Sequence, residues 1–381
     1  MKKIILIPDS FKGTMCSTEI CEIMKTEIKK HYPTAQIVSI PVADGGEGSV
    51  DCFLQAVKGN RIAIRVNNPL FEKTDVVYAM VDGGNTAVIE MAMSAGLSLI
   101  EQRKDPLNAT TYGVGEMILD AIKKGAKKII VGLGGSATND GGCGAACAAG
   151  IVFYNQNGEQ FVPVGGTLNE ISRVDLSERS SLLNDVEIIG MCDVDNPMYG
   201  LDGAAYIFGP QKGATPDMVH IIDKGLRNLA EVMRRDLSKD VANIPGAGAA
   251  GAMGAGMIAF FNASLLKGID TILEIVRFDD ELIGADMILT GEGKIDNQSL
   301  HGKVIIGVAE RAKCKNIPVI AFVGDIGDDI DSIYEKGVTA IISINRVAVD
   351  IITARFRAKS DLALTVDNFM RFCKSIGLGG T

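Results

Sequence analysis

The stretch that most limits what this chain can become runs from Lys127 to Ala149, KKIIVGLGGSATNDGGCGAACAA. Ile129, Ile130 and Val131 form a short apolar, β-branched run that the cluster Gly132, Gly134 and Gly135 stops abruptly. Glycines at such a stop permit backbone angles and close approaches that other residues do not. Ser136, Thr138 and Asn139 then add hydrogen-bonding side chains, and Asp140-Gly141-Gly142 opens a small-residue segment that can turn helical. This reads as strand, anion-binding loop and helix. A helix N-terminus there would point N–H groups and the positive end of its dipole at the loop's occupant, whose natural identity is phosphate. Gly132-x-Gly134-x-x-Ala137 also fits a loose dinucleotide fingerprint, but that pattern wants an acidic residue about 20 positions on. The following segment offers Asn155, Gln156 and Asn157 instead, with Asn157-Gly158 reading as a hairpin turn. A nicotinamide cofactor is therefore disfavoured, and a glycine turn without a ligand is the remaining alternative.

Composition narrows the class further. A chain of 381 residues suggests two domains. Its 47% hydrophobic and 22% charged residues suit a globular protein, and 44 glycines point to turns and tight backbone approaches. The net charge of −9, with no dense Lys/Arg cluster, argues against a nucleic-acid partner. Eight cysteines form no CxxC, and three histidines give no zinc spacing, so reduced, mostly buried thiols are expected. The apolar run after Lys2-Lys3 is too short for a signal peptide and ends at Pro8-Asp9. No stretch approaches the roughly 20 apolar residues that span a bilayer. The expectation is a cytoplasmic protein without a membrane partner.

In chain order, Ile4–Pro8 reads as a buried strand leading to DSFKGTMCST and a helix from about Ser17 to Lys30. This places Asp9, Ser10 and Lys12 at the carboxyl end of a strand, where open α/β sheets bind ligands. A second strand, Gln36–Ile40, ends in Asp44-Gly45-Gly46-Glu47-Gly48 before a helix at Ser49–Val57. Two carboxylates there would repel phosphate, so a divalent metal or a substrate hydroxyl is the better client. From Arg61 the runs RIAIRV, TDVVYAMV and TAVIEMA predict an antiparallel meander, with Asp82-Gly83-Gly84-Asn85 as a hairpin turn. A strand then ends in Cys192-Asp193-Val194-Asp195, whose carboxylates could share a cation, divide between cation and substrate, or stand solvated in a turn. Lys212, in the glycine loop before a helix at Pro216–Arg235, could neutralise a phosphate or lie on the surface. The run PGAGAAGAMGAG, residues 245–256, precedes a helix into Ile258–Leu266. Each glycine in a helix costs about 1 kcal/mol, so this backbone meets either a ligand or a closely packed neighbour.

The opening pattern then returns. Asp286–Thr290 is a strand ending in Gly291-Glu292-Gly293-Lys294-Ile295-Asp296, followed by a helix in HGKVIIGVAERAKC. Pro318–Val323 and Ala340–Ile344 are further strands, and a closing helix runs from about Ser360 to Lys374. Residues before 60 and after 280 thus make one five-strand β-α-β series, interrupted after its second strand by an inserted domain at about 61–280. The predicted class is α/β: a parallel-sheet domain interrupted by a second α/β domain with a mixed sheet.

Glycine loops rich in Asp, Lys and Ser at strand ends are the parts phosphoryl transfer needs, because its catalysis is mostly positioning and charge neutralisation. There is no GxxxxGK[ST], GxSxG or HExxH string, so P-loop, serine-hydrolase and zinc-protease chemistry are set aside. The loops PDSFKG, PVADGGEG, GLGGSATNDGG, CDVDNP with GPQKGA, PGAGAAG, and TGEGKID with QSLHGK closely resemble, in this order, the bacterial glycerate kinases. The resemblance implies a flavodoxin-like domain (1–60 and 281–381), an inserted restriction-enzyme-like domain (61–280) and an active site between them. It also implies ATP and Mg²⁺ as donor and cofactor, D-glycerate as substrate and the 2-hydroxyl as acceptor. On that footing the phosphates lie on Gly134, Gly135, Ser136 and Thr138, with Lys12 and Lys212 as cations. Asp193 and Asp195 serve as base and metal ligand, while Asp44 and Asp296 hold metal or glycerate hydroxyls. Asp9, Ser10 and Lys294 complete the glycerate site, Lys294 at the carboxylate. The alternatives are a kinase for another small hydroxy acid, 3-phosphorylation of glycerate, or a non-catalytic sugar-acid sensor. One departure from the family pattern stands out: SINRVAVDIITARFRAKSDL lacks a proline-methionine turn and carries Arg346, Arg355 and Arg357.

Overall fold

In the computed structural model the structure describes residues 1–11, 13–42, 50, 54, 57–296 and 304–378. Lys12, Asp44 and most of the helix expected at Ser49–Val57 lie outside the described residues. The chain divides into two compact units, one built mainly from Met1–Asp44 and Ile269–Thr381, the other mainly from Lys58–Gly268.

The first unit begins with β1 (Lys3–Leu6), the helix Ser17–His31 and β2 (Gln36–Ser39). The chain then runs through the second unit as β3 (Gly59–Asn67), β4 (Lys73–Val81), β5 (Thr86–Glu90), β6 (Lys128–Gly132), β7 (Val152–Asn155), β8 (Gln160–Phe161), β9 (Ile171–Asp175), β10 (Glu187–Met191) and β11 (Ser264–Leu266). It returns with β12 (Met287–Ile295), β13 (Val319–Ile326) and β14 (Val338–Ser343).

Among the described residues, the first unit's sheet has five strands in the order β14-β13-β12-β1-β2, every neighbouring pair parallel. Counted within the unit this is 2-1-3-4-5, the flavodoxin-like order. Parallel strands buried on both faces need continuous apolar sequence, and Ile4, Ile5 and Leu6 are fully buried with Ile288 and Leu289 beside them. The helix Ile351–Ser375 packs on Ser17–His31 through Ile20, Met24, Ile28, Leu362, Val366 and Met370. His31 and Asp367 meet at 2.7 Å, and Lys359 and Glu19 at 2.6 Å, along the same seam.

In the second unit the sheet runs β11-β10-β6-β5-β4-β3. β3, β4 and β5 form the predicted antiparallel meander, whereas β5, β6, β10 and β11 are parallel. Asp82–Gly84 makes the turn between β4 and β5. A small antiparallel sheet, β8-β7-β9, carries the predicted turn at Gly158, which stands at φ 79°.

Three expectations are corrected. β12 continues through Gly291, Glu292, Gly293 and Lys294 instead of stopping at Thr290. A Cβ on Gly291 would sit 2.3 Å from the Phe322 carbonyl oxygen, so this glycine marks two strands in close approach rather than a loop. Ser264–Leu266 is a strand, not the end of a helix: the preceding helix stops at Phe261, where Asn262 turns left-handed at φ 56° and the chain pairs with β10. The last helix begins at Ile351, nine residues before the expected Ser360, because the Asp350 carboxylate accepts the amides of Ile352 and Thr353 at 3.0 Å each.

Candidate active site

The parallel strands of the second unit end together at one edge. Register sets Glu90 of β5 and Met191 of β10 beside Gly132 of β6, and Leu266 of β11 beside Met191. The loops that leave this edge carry Gly134-Gly135-Ser136, Asp193-Val194-Asp195 and Lys267-Gly268. Gly134 is half-buried and Gly135 is exposed at φ 69°. Leu133 still donates to Met191, and Ala137 donates to Ala95. Between them, among the described residues, the amides of Gly134, Gly135 and Ser136 have no acceptor. Three successive unspent N–H donors in a turn are what an anion needs.

The short helix Cys143–Ala148 behaves differently from the sequence expectation. Its first amides face the protein, not a ligand: Gly142 and Gly144 donate to the Asp140 carboxylate at 3.1 Å each, and Ala145 donates to the Thr111 hydroxyl at 2.9 Å. Thr111 also gives Asp140 its amide and its hydroxyl, each at 2.8 Å. Asp140 is fully buried, and burial raises its pKa against the pull of these four donors. It fixes the loop's exit through residues 142–144 and 111 and leaves the amides of residues 134–136 out of that network.

Lys212 lies beneath the same loop. Its ammonium donates to the Thr138 carbonyl at 2.6 Å, and its side chain is buried, with 2% exposure. Burial pulls its pKa down to about 7, and Asp140 opposes that fall. Thr138 is itself fully buried and its hydroxyl meets that of Ser136 at 2.9 Å. Lys212 and Thr138 therefore hold the loop from behind, while Gly134 and Gly135 form its open side and the buried Ser136 keeps its amide unspent among the described residues.

The glycine-rich run from residue 245 resolves as close packing against this loop. Ala250, Gly251 and Ala252 stand left-handed at φ 55°, 71° and 66°. The Gly251 carbonyl accepts the Gly141 amide at 3.1 Å, and the Ala250 carbonyl accepts the Ser136 hydroxyl at 3.3 Å. A Cβ on Gly251 would lie 1.9 Å from the Thr138 carbonyl oxygen, and one on Gly256 would lie 2.4 Å from that of Gly141.

Asp193 and Asp195 are both exposed, and Asp193 is oriented by the Gly268 amide at 2.8 Å on its Oδ1. Beside them, burial pushes the Cys192 thiol up to about 11 and keeps it inert. Among the described residues no three His, Cys, Asp or Glu side chains cluster as a metal cage. Two exposed carboxylates after one strand do fit Mg²⁺, which takes one or two protein carboxylates and fills its remaining positions with phosphate and water.

At the carboxyl edge of the first unit's sheet, Asp9 is buried and its amide donates to the Gly291 carbonyl at 2.8 Å. Its carboxylate accepts the Ser10 amide at 2.6 Å. This brings Asp9 and Ser10 beside the buried Glu292 and the end of β12, where exposed Lys294 pairs with Asp296 at 3.4 Å. Sequence reasoning passed over Glu292, Glu90 and Thr111. The signal for the first two was an acid set into an apolar run at a strand's end, which is costly unless used or paired. Thr111 carried no signal, because its partner is 29 residues away.

The chain matches the sequence model described as "Glycerate kinase family" over residues 4–374. It belongs to the glycerate kinase family. It is 43% identical to the glycerate kinase of Bacillus cereus over 96% of both chains. It is 42% identical to the glycerate 2-kinase of Escherichia coli K12 over 90% of each chain. A crystal structure from Salmonella typhimurium LT2, assigned as a glycerate kinase 2, superposes with a TM-score of 0.87 at 36% identity, covering 98% of both chains. The glycerate kinase fold described above is thus shared across nearly its whole length.

Proposed function

We infer that this chain is an ATP-dependent glycerate 2-kinase, converting D-glycerate to 2-phosphoglycerate. The observation that carries the reading is the trio of unspent amides at Gly134, Gly135 and Ser136, at the strand ends of a chain that belongs to the glycerate kinase family. Backbone amides that need no reorganisation stabilise the charge of a transferring phosphoryl group. In this reading the ATP phosphates rest on those three amides, held in place by Thr138 and Lys212 from behind. Asp195 and Asp193 would hold Mg²⁺, which neutralises phosphate charge when bound. Asp193, oriented by Gly268, takes the proton of the 2-hydroxyl as its oxygen attacks the γ-phosphorus. Asp9, Ser10, Lys294 and Asp296 bind glycerate. Lys12 and Asp44 keep the roles the family resemblance gives them, as cation and as metal or hydroxyl ligand.

The test is ADP release with Mg²⁺-ATP and D-glycerate by the wild type and by Asp193→Asn. The wild type turns over, and the variant loses kcat by about two orders of magnitude or more, the usual worth of a positioned base. Near-normal kcat in Asp193→Asn would remove that residue from the role. Faster turnover of a longer sugar acid than of glycerate would move the substrate to another small hydroxy acid.

A further inference from the structure

The three arginines that set the C-terminal segment apart have different fates. Arg357 forms a fork with Asp361, its Nε and Nη2 each 3.1 Å from a carboxylate oxygen, and Arg346 approaches the same carboxylate at 3.9 Å. Asp361 is 4% exposed, so these two arginines neutralise a buried charge and are accounted for. Arg355 is exposed, and among the described residues it makes no ion pair or hydrogen bond. It lies in the second turn of Ile351–Ser375, whose N-terminus follows the last parallel strand of the first unit. In an open parallel sheet, the start of each helix lies at the carboxyl edge, where ligands bind. The guanidinium confirms this placement: its Cζ is 4.0 Å from where a Cβ on Gly13 would stand. Gly13 belongs to the loop that leaves β1 through Asp9 and Ser10.

We propose that Arg355 is a further substrate-binding residue that grips the carboxylate of the hydroxy-acid substrate at this edge. The proposal rests on the glycerate kinase reading above. A planar guanidinium can bind a carboxylate through two parallel hydrogen bonds, which the Lys294 ammonium cannot do. Lys294 is moreover paired with Asp296, whereas Arg355 has no ion pair among the described residues. The bare backbone of Gly13 leaves the guanidinium room beside the Asp9–Ser10 loop.

The experiment is steady-state kinetics of the full chain and of Arg355→Ala and Arg355→Lys, with titration of D-glycerate by calorimetry in the absence of ATP. Arg355→Ala raises KM for D-glycerate about tenfold or more, the scale of a lost charge-assisted pair, and leaves KM for ATP and the melting temperature in place. Arg355→Lys recovers part of the loss, and D-glycerate binding without ATP weakens in parallel. For glyceramide, which lacks the carboxylate charge, wild type and Arg355→Ala have the same KM. An unmoved KM for glycerate, or a rise confined to ATP, would overturn the role of Arg355 while wild-type turnover left the kinase reading intact. A wild type that turns over no hydroxy acid would overturn both.

Discussion

At the scale of single residues, the most informative group is Lys212, an amine buried beneath the loop that carries Gly134, Gly135 and Ser136. Its folded pKa lies near 7, below its ordinary value of 10.5, so between these limits the unfolded chain binds more protons than the folded one. Stability from this group therefore rises with pH across that window and is flat below it. The unfolding free energy of the wild type relative to Lys212→Met should grow between pH 7 and pH 10, measured by urea denaturation. A constant difference would mean that Asp140 keeps the ammonium charged throughout. A lysine in a glycine loop reads from sequence as a surface or phosphate-facing cation. Its burial depends on Thr138, 74 residues away, and no local pattern encodes that contact.

At the scale of elements, strand ends were legible because parallel strands buried on both faces must be continuous apolar runs, and because glycine and acid residues interrupt them. What glycine did at each interruption was not legible. In Gly134-Gly135 it frees amides, in Gly291 it lets β12 pass close to β13, and in Gly251 it lets a left-handed turn meet the backbone at Thr138. The same letter serves all three, and only the neighbouring chain decides. The same holds for the last helix, whose early start rests on the Asp350 cap and the Arg357–Asp361 pair, one helical turn apart. The turn at 250–252 gives a test with opposite signs. Gly251→Ala drives a methyl into the Thr138 carbonyl and should cost several kcal/mol, as overpacking against backbone does. Ala250→Gly relieves a non-glycine residue at φ 55° and should be neutral or stabilising by up to about 1 kcal/mol. Thermal melts of both variants check this. Equal losses would show that this turn is held by side-chain packing at Ala250 rather than by the backbone fit.

At the scale of the whole molecule, each unit has its own apolar core: one gathers residues from Met1–Ile28 and Met287–Cys373, the other from Val66–Ala263. Separate cores favour separate cooperative transitions. Scanning calorimetry should give a calorimetric enthalpy clearly above the van't Hoff value, and equality of the two would show that the units unfold as one. The β-α-β series and its interruption could be read from the first and last parts of the chain, because the sequence pattern stops and resumes. The inner layout of the interruption, with three further strands parallel to the meander's last strand, could not, since pairing order among short apolar runs depends on contacts far apart in sequence. In the proposed function these strand-end loops transfer phosphate from ATP to the 2-hydroxyl of D-glycerate. Phosphorus NMR of the full chain with Mg²⁺-ATP and D-glycerate tests it most directly. Stoichiometric ADP and the resonance of 2-phosphoglycerate are expected; no new phosphate ester, or 3-phosphoglycerate alone, would contradict 2-kinase activity.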